Sequence, residues 1–409
     1  MEKNNEKICA IICEYNPMHT GHMYLIEKAK ELTNSKYVLG LMSGNFSQRS
    51  EPCILDKYTR GEIAIKNGLD LVVNLPTAFC TNNAEVFALA SIKILNSLNI
   101  NYLCFGMETV NEKALYSLAK FLTKEPSSFK KELKKKLKSG LSYNYAIIET
   151  IKDNLNYFEK ELQKDIIQIL TLPNNVLGLE YVKALIKTKS KIKPIIVKRV
   201  NNYNNNEQIE NFVSASFLRE NICINKLENV SDFLPENSIK YLENFTLNNK
   251  LFNGLILYKI KTLKNKELKK IYSVNEGLEN KLINESKTSF SFDEFYKKLQ
   301  TKRYKENKIR SILLNALLDI DKKTIKKMYT IKTNIIAKIL AINTKNKGIL
   351  SKINTKNLIV RKNDVHKIKN KFNKKLMIIE NNANVIYNLI SNAKLIDDDY
   401  YNKMRNINI

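Results

Sequence analysis

The chain has 409 residues, 44% of them hydrophobic, and is therefore long enough for two or three domains with a sizeable core. It has no apolar run of about 18 residues and no Cys-x-x-Cys pair, and acidic residues precede its short early apolar run. These features argue against a membrane span or secretory signal and favour a cytoplasmic protein with reduced thiols. The net charge of +27 comes from the residues after 110, because residues 1–110 contain 10 Lys and Arg against 11 Asp and Glu. A neutral front and a basic rear predict two roles, one of them holding a polyanion.

The first third of the chain alternates between apolar strands and amphipathic helices. Strands are predicted at 7–15, 37–44, 69–76 and 102–107, with helices at 21–34, 57–68 and 83–99. Near-continuous apolar strands separated by helices are typical of a parallel sheet covered on both faces. We therefore predict an α/β fold with a doubly wound parallel sheet.

The rest of the chain is mainly helical and basic. Residues 112–190 are interpreted as a helical insertion before a last strand at 194–200, and beyond about residue 226 the pattern predicts helices and no strand. The predicted domains are a catalytic domain over 1–225 and a helical, basic domain over 226–409.

Two of the three histidines in the chain lie in "ICEYNPMHTGH", residues 12–22, where the first strand meets the first helix. Ligands of open parallel sheets bind at the carboxyl ends of strands, and a helix N-terminus favours an anion. Gly21 lets a phosphate approach the backbone, while His19 and His22 can each donate a hydrogen bond to phosphate oxygens of a leaving pyrophosphate. The motif predicts an electrostatic clamp in which neither histidine is a nucleophile. The alternatives are structural histidines in a turn and a zinc site, for which this spacing without a nearby thiol is poor.

This junction resembles the HxGH signature of the nucleotidyltransferase superfamily (the HUP, Rossmann-like type), and "VSASFLRE" at 213–220 resembles its second signature. A "KMSKS"-like loop, typical of class I synthetases, is not found. Five ordered blocks between residues 14 and 318 are together similar to the tRNA(Met) cytidine acetate ligase family. They are "EYNPMHTGHMYLIEKAK", "MSGNFSQRSEP", "LPNNVLGLEYVKAL", "SASFLR" and "TKRYKENKIRSILLNALL".

The resemblance implies a reaction in two steps. ATP activates acetate to acetyl-adenylate with release of pyrophosphate, and the acetyl group then passes to N4 of the wobble cytidine of elongator tRNA(Met). His19 and His22 are the implied catalytic residues. The implied ATP-site residues are Ile12, Cys13, Glu14, Tyr15, Asn16, Pro17, Met18, His19, Thr20, Gly21, His22, Met23, Tyr24, Leu25, Gly106, Asn174, Asn175, Arg199, Val200, Ser214, Ser216 and Arg219.

Several of these residues also have an ordinary structural interpretation. Gly106 can simply end a strand, Asn174 and Asn175 can cap the helix that follows Pro173, and Arg199 can be a surface residue. Mg²⁺ is expected with ATP, yet no carboxylate pair is identifiable as its ligand, so phosphates and water are expected to hold it.

Contacts to the tRNA are predicted at two places. The polar loop after the second strand offers Ser43, Gln48 and Arg49 at the same sheet edge as the histidines, although a plain polar turn is an alternative. In 301–310, Lys302, Arg303, Tyr304 and Arg310 combine phosphate-binding and base-stacking side chains.

Further basic stretches lie at 130–138, 259–272, 322–332 and 366–376. One such stretch alone is typical of a solvated helix face, but together they favour an RNA-binding rear. Two other functions stay open: a small-molecule nucleotidyltransferase, and a non-catalytic RNA-binding protein. The oligomeric state is not predicted.

Overall fold

The computed structural model describes residues 6–199, 213–275, 277–301, 304–330, 332 and 334–409. Within these residues, one sheet contains eight strands in the order β5-β4-β1-β2-β3-β6-β7, with β8 paired to β6. The strands are β1 (Ile8–Cys13), β2 (Tyr37–Ser43), β3 (Leu71–Leu75), β4 (Tyr102–Met107), β5 (Lys193–Lys198), β6 (Ala337–Asn343), β7 (Leu358–Ile359) and β8 (Arg405–Ile407). Strands β1 to β5 pair in parallel, and β6 runs antiparallel to β3.

Helices cover both faces of this sheet. In chain order they are α1 (Thr20–Thr33), α2 (Lys57–Lys66), α3 (Thr77–Cys80), α4 (Ala84–Ser97), α5 (Glu112–Lys124), α6 (Ser127–Lys138), α7 (Tyr143–Asp153), α8 (Lys160–Thr171), α9 (Pro173–Lys187), α10 (Ala215–Cys223), α11 (Glu236–Glu243), α12 (Asn249–Thr262), α13 (Asn265–Leu268), α14 (Leu278–Thr288), α15 (Phe292–Leu299), α16 (Glu306–Leu317), α17 (Lys322–Met328), α18 (Ile349–Lys352) and α19 (Lys371–Ile390).

The two faces of the sheet bury separate apolar cores because side chains alternate along each strand. On one face, Leu39 and Leu41 of β2 pack in the core that contains residues of α4, α5 and α9. On the other face, Val38 and Met42 pack in the core that contains residues of α1 and α2. The predicted parallel sheet is confirmed, as are its five front strands and the helical insertion, which forms α5 to α9 between β4 and β5.

The expectation of no strand beyond residue 226 is wrong. Strands β6, β7 and β8 all follow that residue, and β6 joins the front sheet through β3. Lys338 obscures the apolar pattern of β6, yet its side chain is buried, and its Nζ donates to Tyr58 Oη at 2.6 Å and Asn402 O at 2.8 Å. The domain boundary near residue 226 stays a prediction.

A buried ionic cluster joins the front of the chain to the rear. Lys57 Nζ lies 3.3 Å from Glu380 Oε2 of α19 and 2.8 Å from Asp399 Oδ1, and all three side chains are buried. Glu380 also accepts hydrogen bonds from Thr77 N–H and from Asn74 Nδ2, the latter at 3.2 Å. Helix α19 is thus tied to the end of β3 and to the start of α3. Among the described residues, no helix has both the length and the apolar character needed to cross a bilayer.

Candidate nucleotide-binding site

The histidine loop, residues 14–19, connects β1 to α1, and both histidines cap the helix. His19 is the N-cap residue, and its Nδ1 accepts a hydrogen bond from Gly21 N–H at 3.1 Å. His22 Nδ1 accepts from His19 N–H at 3.3 Å, which completes a reciprocal capping box. A neutral imidazole that accepts at Nδ1 carries its proton on Nε2. Each ring therefore keeps an Nε2–H donor that the helix does not use.

Both imidazoles are held neutral. Burial, followed by the positive charge of Arg199, lowers the pKa of His19 to about 4. Burial, then His19 and Arg199, lowers the pKa of His22 well below its ordinary value. The ring centroids are 3.8 Å apart, so two protonated rings would repel each other strongly. Near neutral pH the histidines contribute oriented donors, and Arg199 contributes the charge.

A cavity of ≈ 50 Å³ opens beside the two histidines at the carboxyl ends of the strands. Its lining residues are His19, Gly21, His22, Tyr24, Leu25, Gly106, Val197, Lys198, Arg199 and Val213. Seven of these were predicted for the ATP site, whereas Val197, Lys198 and Val213 were not. Val197 and Lys198 immediately precede Arg199, and Val213 is the first residue of the second signature, but none of the three was singled out from the sequence.

Gly106 and Arg199 fit together at the rim of this cavity. A Cβ atom on Gly106 would lie 3.0 Å from Arg199 Cγ, so a side chain there would displace the arginine. The Nε of Arg199 is buried and has no hydrogen-bond partner among the described residues. An unpaired buried guanidinium N–H is costly unless a ligand satisfies it, so this atom fits a bound anion such as a phosphate.

The two asparagines at the start of α9 are bonded to the turn after β4. Asn175 is fully buried, and its Oδ1 accepts from Glu108 N–H at 2.8 Å and Thr109 N–H at 3.1 Å. Asn174 Nδ2 donates to Glu108 Oε1 at 2.5 Å. The capping alternative is wrong in detail, since Leu172 is the N-cap of α9 and makes no side-chain cap bond. Neither asparagine lines the cavity, and their role toward ATP stays a prediction.

The second signature contacts the histidine loop through Arg219. Ser214 caps α10, and Ser216 Oγ accepts from both Arg49 and Arg219, each at 3.2 Å. Arg219 also donates to Asn16 O of the histidine loop at 2.9 Å. Burial, followed by the charge of Arg49, lowers the pKa of Arg219. The predicted residues Arg49, Ser216 and Arg219 therefore form one cluster beside the loop, which we call the arginine cluster.

Arg60 of α2 also holds the carboxyl edge of the sheet, and sequence reasoning missed it. Its buried guanidinium donates to the carbonyl oxygens of Glu14, Ser43 and Gly44, which links the loops after β1 and β2. Its place within an ordinary amphipathic helix gave no signal of this role. Gln48 N–H donates to Glu14 Oε1 at 2.6 Å and joins the same two loops.

The remaining predicted residues fall into three groups. The first group is buried in the protein and consists of Cys13, Tyr15, Asn16, Pro17, Met18 and Ser43. Ile12, Thr20 and Met23 are partly buried. Three predicted residues lie outside the described part of the chain: Val200, Lys302 and Arg303.

Two residues predicted for the tRNA lie in or beside α16. Tyr304 is partly buried and packs against the apolar core, and its stacking on a base stays a prediction. Arg310 forms ion pairs with Glu51 and with Glu306, the latter at 2.6 Å.

The described residues contain no group of three or more His, Cys, Asp or Glu side chains placed to hold a metal ion.

The chain is similar along most of its length to known proteins. The family model described as HIGH Nucleotidyl Transferase matches residues 6–401. The tRNA(Met) cytidine acetate ligase of Clostridium novyi (strain NT) is 39% identical over 360 residues, covering 86% of this chain and 88% of that protein. The Caldicellulosiruptor saccharolyticus protein of the same name is 36% identical over 395 residues, 94% of each chain. The crystal structure of Thermotoga maritima TmcAL bound with alpha-thio ATP is also similar, with a TM-score of 0.82 and 26% identity over 94% of each chain.

Proposed function

Because the chain belongs to the tRNA(Met) cytidine acetate ligase family of HIGH nucleotidyltransferases, we propose that it acetylates tRNA with ATP and acetate. In the first step acetate attacks the α-phosphate of ATP, giving acetyl-adenylate and pyrophosphate. In the second step the acetyl group passes to N4 of the wobble cytidine of elongator tRNA(Met). The observation that carries the proposal is the cavity lined by His19, His22 and Arg199, whose buried Nε has no hydrogen-bond partner among the described residues.

The cavity residues favour release of pyrophosphate. The capping box fixes both imidazoles, so the Nε2–H groups of His19 and His22 need no reorganisation to donate. Donors that are already oriented stabilise charge that develops in the transition state, and removing one typically costs about 10²–10³ in rate. Arg199 adds a permanent positive charge. Mg²⁺ bound mainly to phosphate oxygens and water would neutralise further charge without a protein cage.

The tRNA would lie over the arginine cluster and the basic helices. Arg49 is exposed beside the histidine loop. Helix α6 exposes Lys130, Lys131, Lys134, Lys135 and Lys138. Such side chains suit the phosphate backbone of RNA and attract it without reading its sequence. We place the reaction in the cytoplasm, where tRNA is available.

The test is incubation of the protein with ATP, labelled acetate and total tRNA, followed by nucleoside mass analysis. We expect N4-acetylcytidine and an equal amount of AMP. Elongator tRNA(Met) in which the wobble cytidine is replaced by uridine is the matched control and should remain unlabelled. Transfer of the AMP moiety to a small molecule would instead indicate a metabolite nucleotidyltransferase. No pyrophosphate release with any acid tested would indicate a non-catalytic protein.

A further inference from the structure

Glu14 follows β1 directly, and one of its carboxylate oxygens has no hydrogen-bond partner among the described residues. Its Oε1 is fixed by Gln48 N–H at 2.6 Å, and its main-chain oxygen accepts from Arg60. No donor within the described residues bonds Oε2. This oxygen is not fully buried, so a molecule from solvent can approach it. Since Glu14 as a residue is partly exposed, a molecule bound at the carboxyl edge of the sheet can reach Oε2.

Three arginines surround this carboxylate. Arg60 bonds its main chain, while Arg49 and Arg219 of the arginine cluster lie close enough to act on its charge. Burial nevertheless raises the pKa of Glu14, and the Gln48 N–H and the arginines oppose this only in part. A raised pKa makes a carboxylate a better proton acceptor near neutral pH. An RNA phosphate on the arginine cluster would bring a nucleotide next to Oε2.

We propose that Glu14 Oε2 accepts the proton of the cytidine amine during acetyl transfer, an inference that rests on the proposed function. The nitrogen forms a bond to the acetyl carbonyl carbon, and the bond from that carbon to the AMP oxygen breaks. The electron pair of that bond leaves with AMP, and the proton lost by nitrogen passes to Oε2 and then to water. The amine lone pair is delocalised into the pyrimidine ring, so the nitrogen is a poor nucleophile without a base.

The first step does not need this base, because acetate attacks as an anion with no proton to lose. Glu14 is also an implied ATP-site residue, so the two steps are compared at saturating ATP, where its loss should slow transfer much more than activation. This asymmetry separates a catalytic role from a structural one. A carboxylate that merely organised the arginines or the histidine loop would affect both steps together.

The experiment compares Glu14→Gln with the unaltered chain. The amide oxygen of glutamine can still accept from Gln48 N–H, but the side chain cannot take up the amine proton. Acetate-dependent exchange of labelled pyrophosphate into ATP, measured without RNA and at saturating ATP, should fall much less than the transfer step. Single-turnover acetylation of elongator tRNA(Met) should fall by about 10²–10⁴, the usual range for loss of a general base. Glu31→Gln is the matched control, because Glu31 is an exposed carboxylate on α1 whose one ion pair within the described residues is with Lys28.

A second measurement needs no variant and covers the case in which Glu14→Gln does not fold. In the unaltered protein, the transfer rate should fall on acidification with an apparent pKa above the ordinary 4.5 of glutamate, while pyrophosphate exchange stays flat over the same window. Normal transfer by Glu14→Gln, equal loss of both steps, or a pH-independent transfer rate would each overturn the inference. Absence of any N4-acetylcytidine from the unaltered protein would instead overturn the proposed function itself.

Discussion

Replacing Glu380 by glutamine should destabilise the whole molecule, because Glu380 bonds the rear helix α19 to the front sheet. The side chain is 3% exposed and accepts from Thr77 N–H, from Asn74 Nδ2 at 3.2 Å and from Lys57 Nζ at 3.3 Å. Breaking a buried ion pair costs about 3–5 kcal/mol, and a hydrogen bond to a charged group contributes about 1.5–3 kcal/mol. Lys57 keeps Asp399 at 2.8 Å, which places the expected loss near the lower limit, about 3 kcal/mol.

Urea unfolding followed by circular dichroism measures this loss directly. Glu243→Gln is the control, because Glu243 is an exposed carboxylate at the end of α11 and its substitution should change stability by less than about 0.5 kcal/mol. Since β6 lies in the front sheet, the unaltered protein should also unfold in a single transition. A loss below about 1 kcal/mol for Glu380→Gln, or two separate transitions in the unaltered protein, would refute this account of the front–rear connection.

Three further predictions concern the site and the basic rear. Because the pKa of His19 is about 4 in the folded protein and near 6.5 when unfolded, the unfolded chain binds its proton first on acidification. The free energy of unfolding should therefore fall as the pH drops from about 6.5 to 4, and urea titrations should show a flatter fall for His19→Asn. Gly106→Ala places a Cβ 3.0 Å from Arg199 Cγ and should weaken ATP binding by about tenfold in calorimetry, whereas unchanged affinity would remove Arg199 from the ATP site. Changing Lys302 and Arg303 to Glu should raise the KM for tRNA and flatten the salt dependence of tRNA binding, with pyrophosphate exchange nearly intact; equal loss of both activities would argue against an RNA contact there.

The front sheet is predictable from sequence because each of its strands is a nearly continuous apolar run between helices. Strand β6 is not predictable in this way, since Lys338 interrupts its pattern and its partner β3 lies far earlier in the chain. Only the fold provides the buried hydrogen bonds that satisfy this lysine. Local patterns therefore indicate elements well, but they do not show which distant segments complete a sheet.

The candidate site shows the same limit. His19, His22 and Gly106 are marked by residue type and by their place at strand ends, and the structure brings them together with Arg199. The sequence does not show that each Nδ1 caps the helix and leaves Nε2–H as the available donor. Nor does it show that one carboxylate oxygen of Glu14 lacks a partner within the described part of the chain. Both features depend on backbone geometry and on contacts between distant loops.

Acetate-dependent pyrophosphate exchange by His22→Ala, without RNA, tests the central claim most directly. The variant should bind ATP with nearly unchanged affinity and exchange about 10²–10³ times more slowly, because it lacks a donor that acts mainly in the transition state. The matched control is His366→Ala, which removes the third histidine of the chain at an exposed position and should exchange normally. Normal exchange by His22→Ala, or no acetate-dependent exchange by the unaltered protein, would contradict the assignment of this cavity as the site of acetate activation.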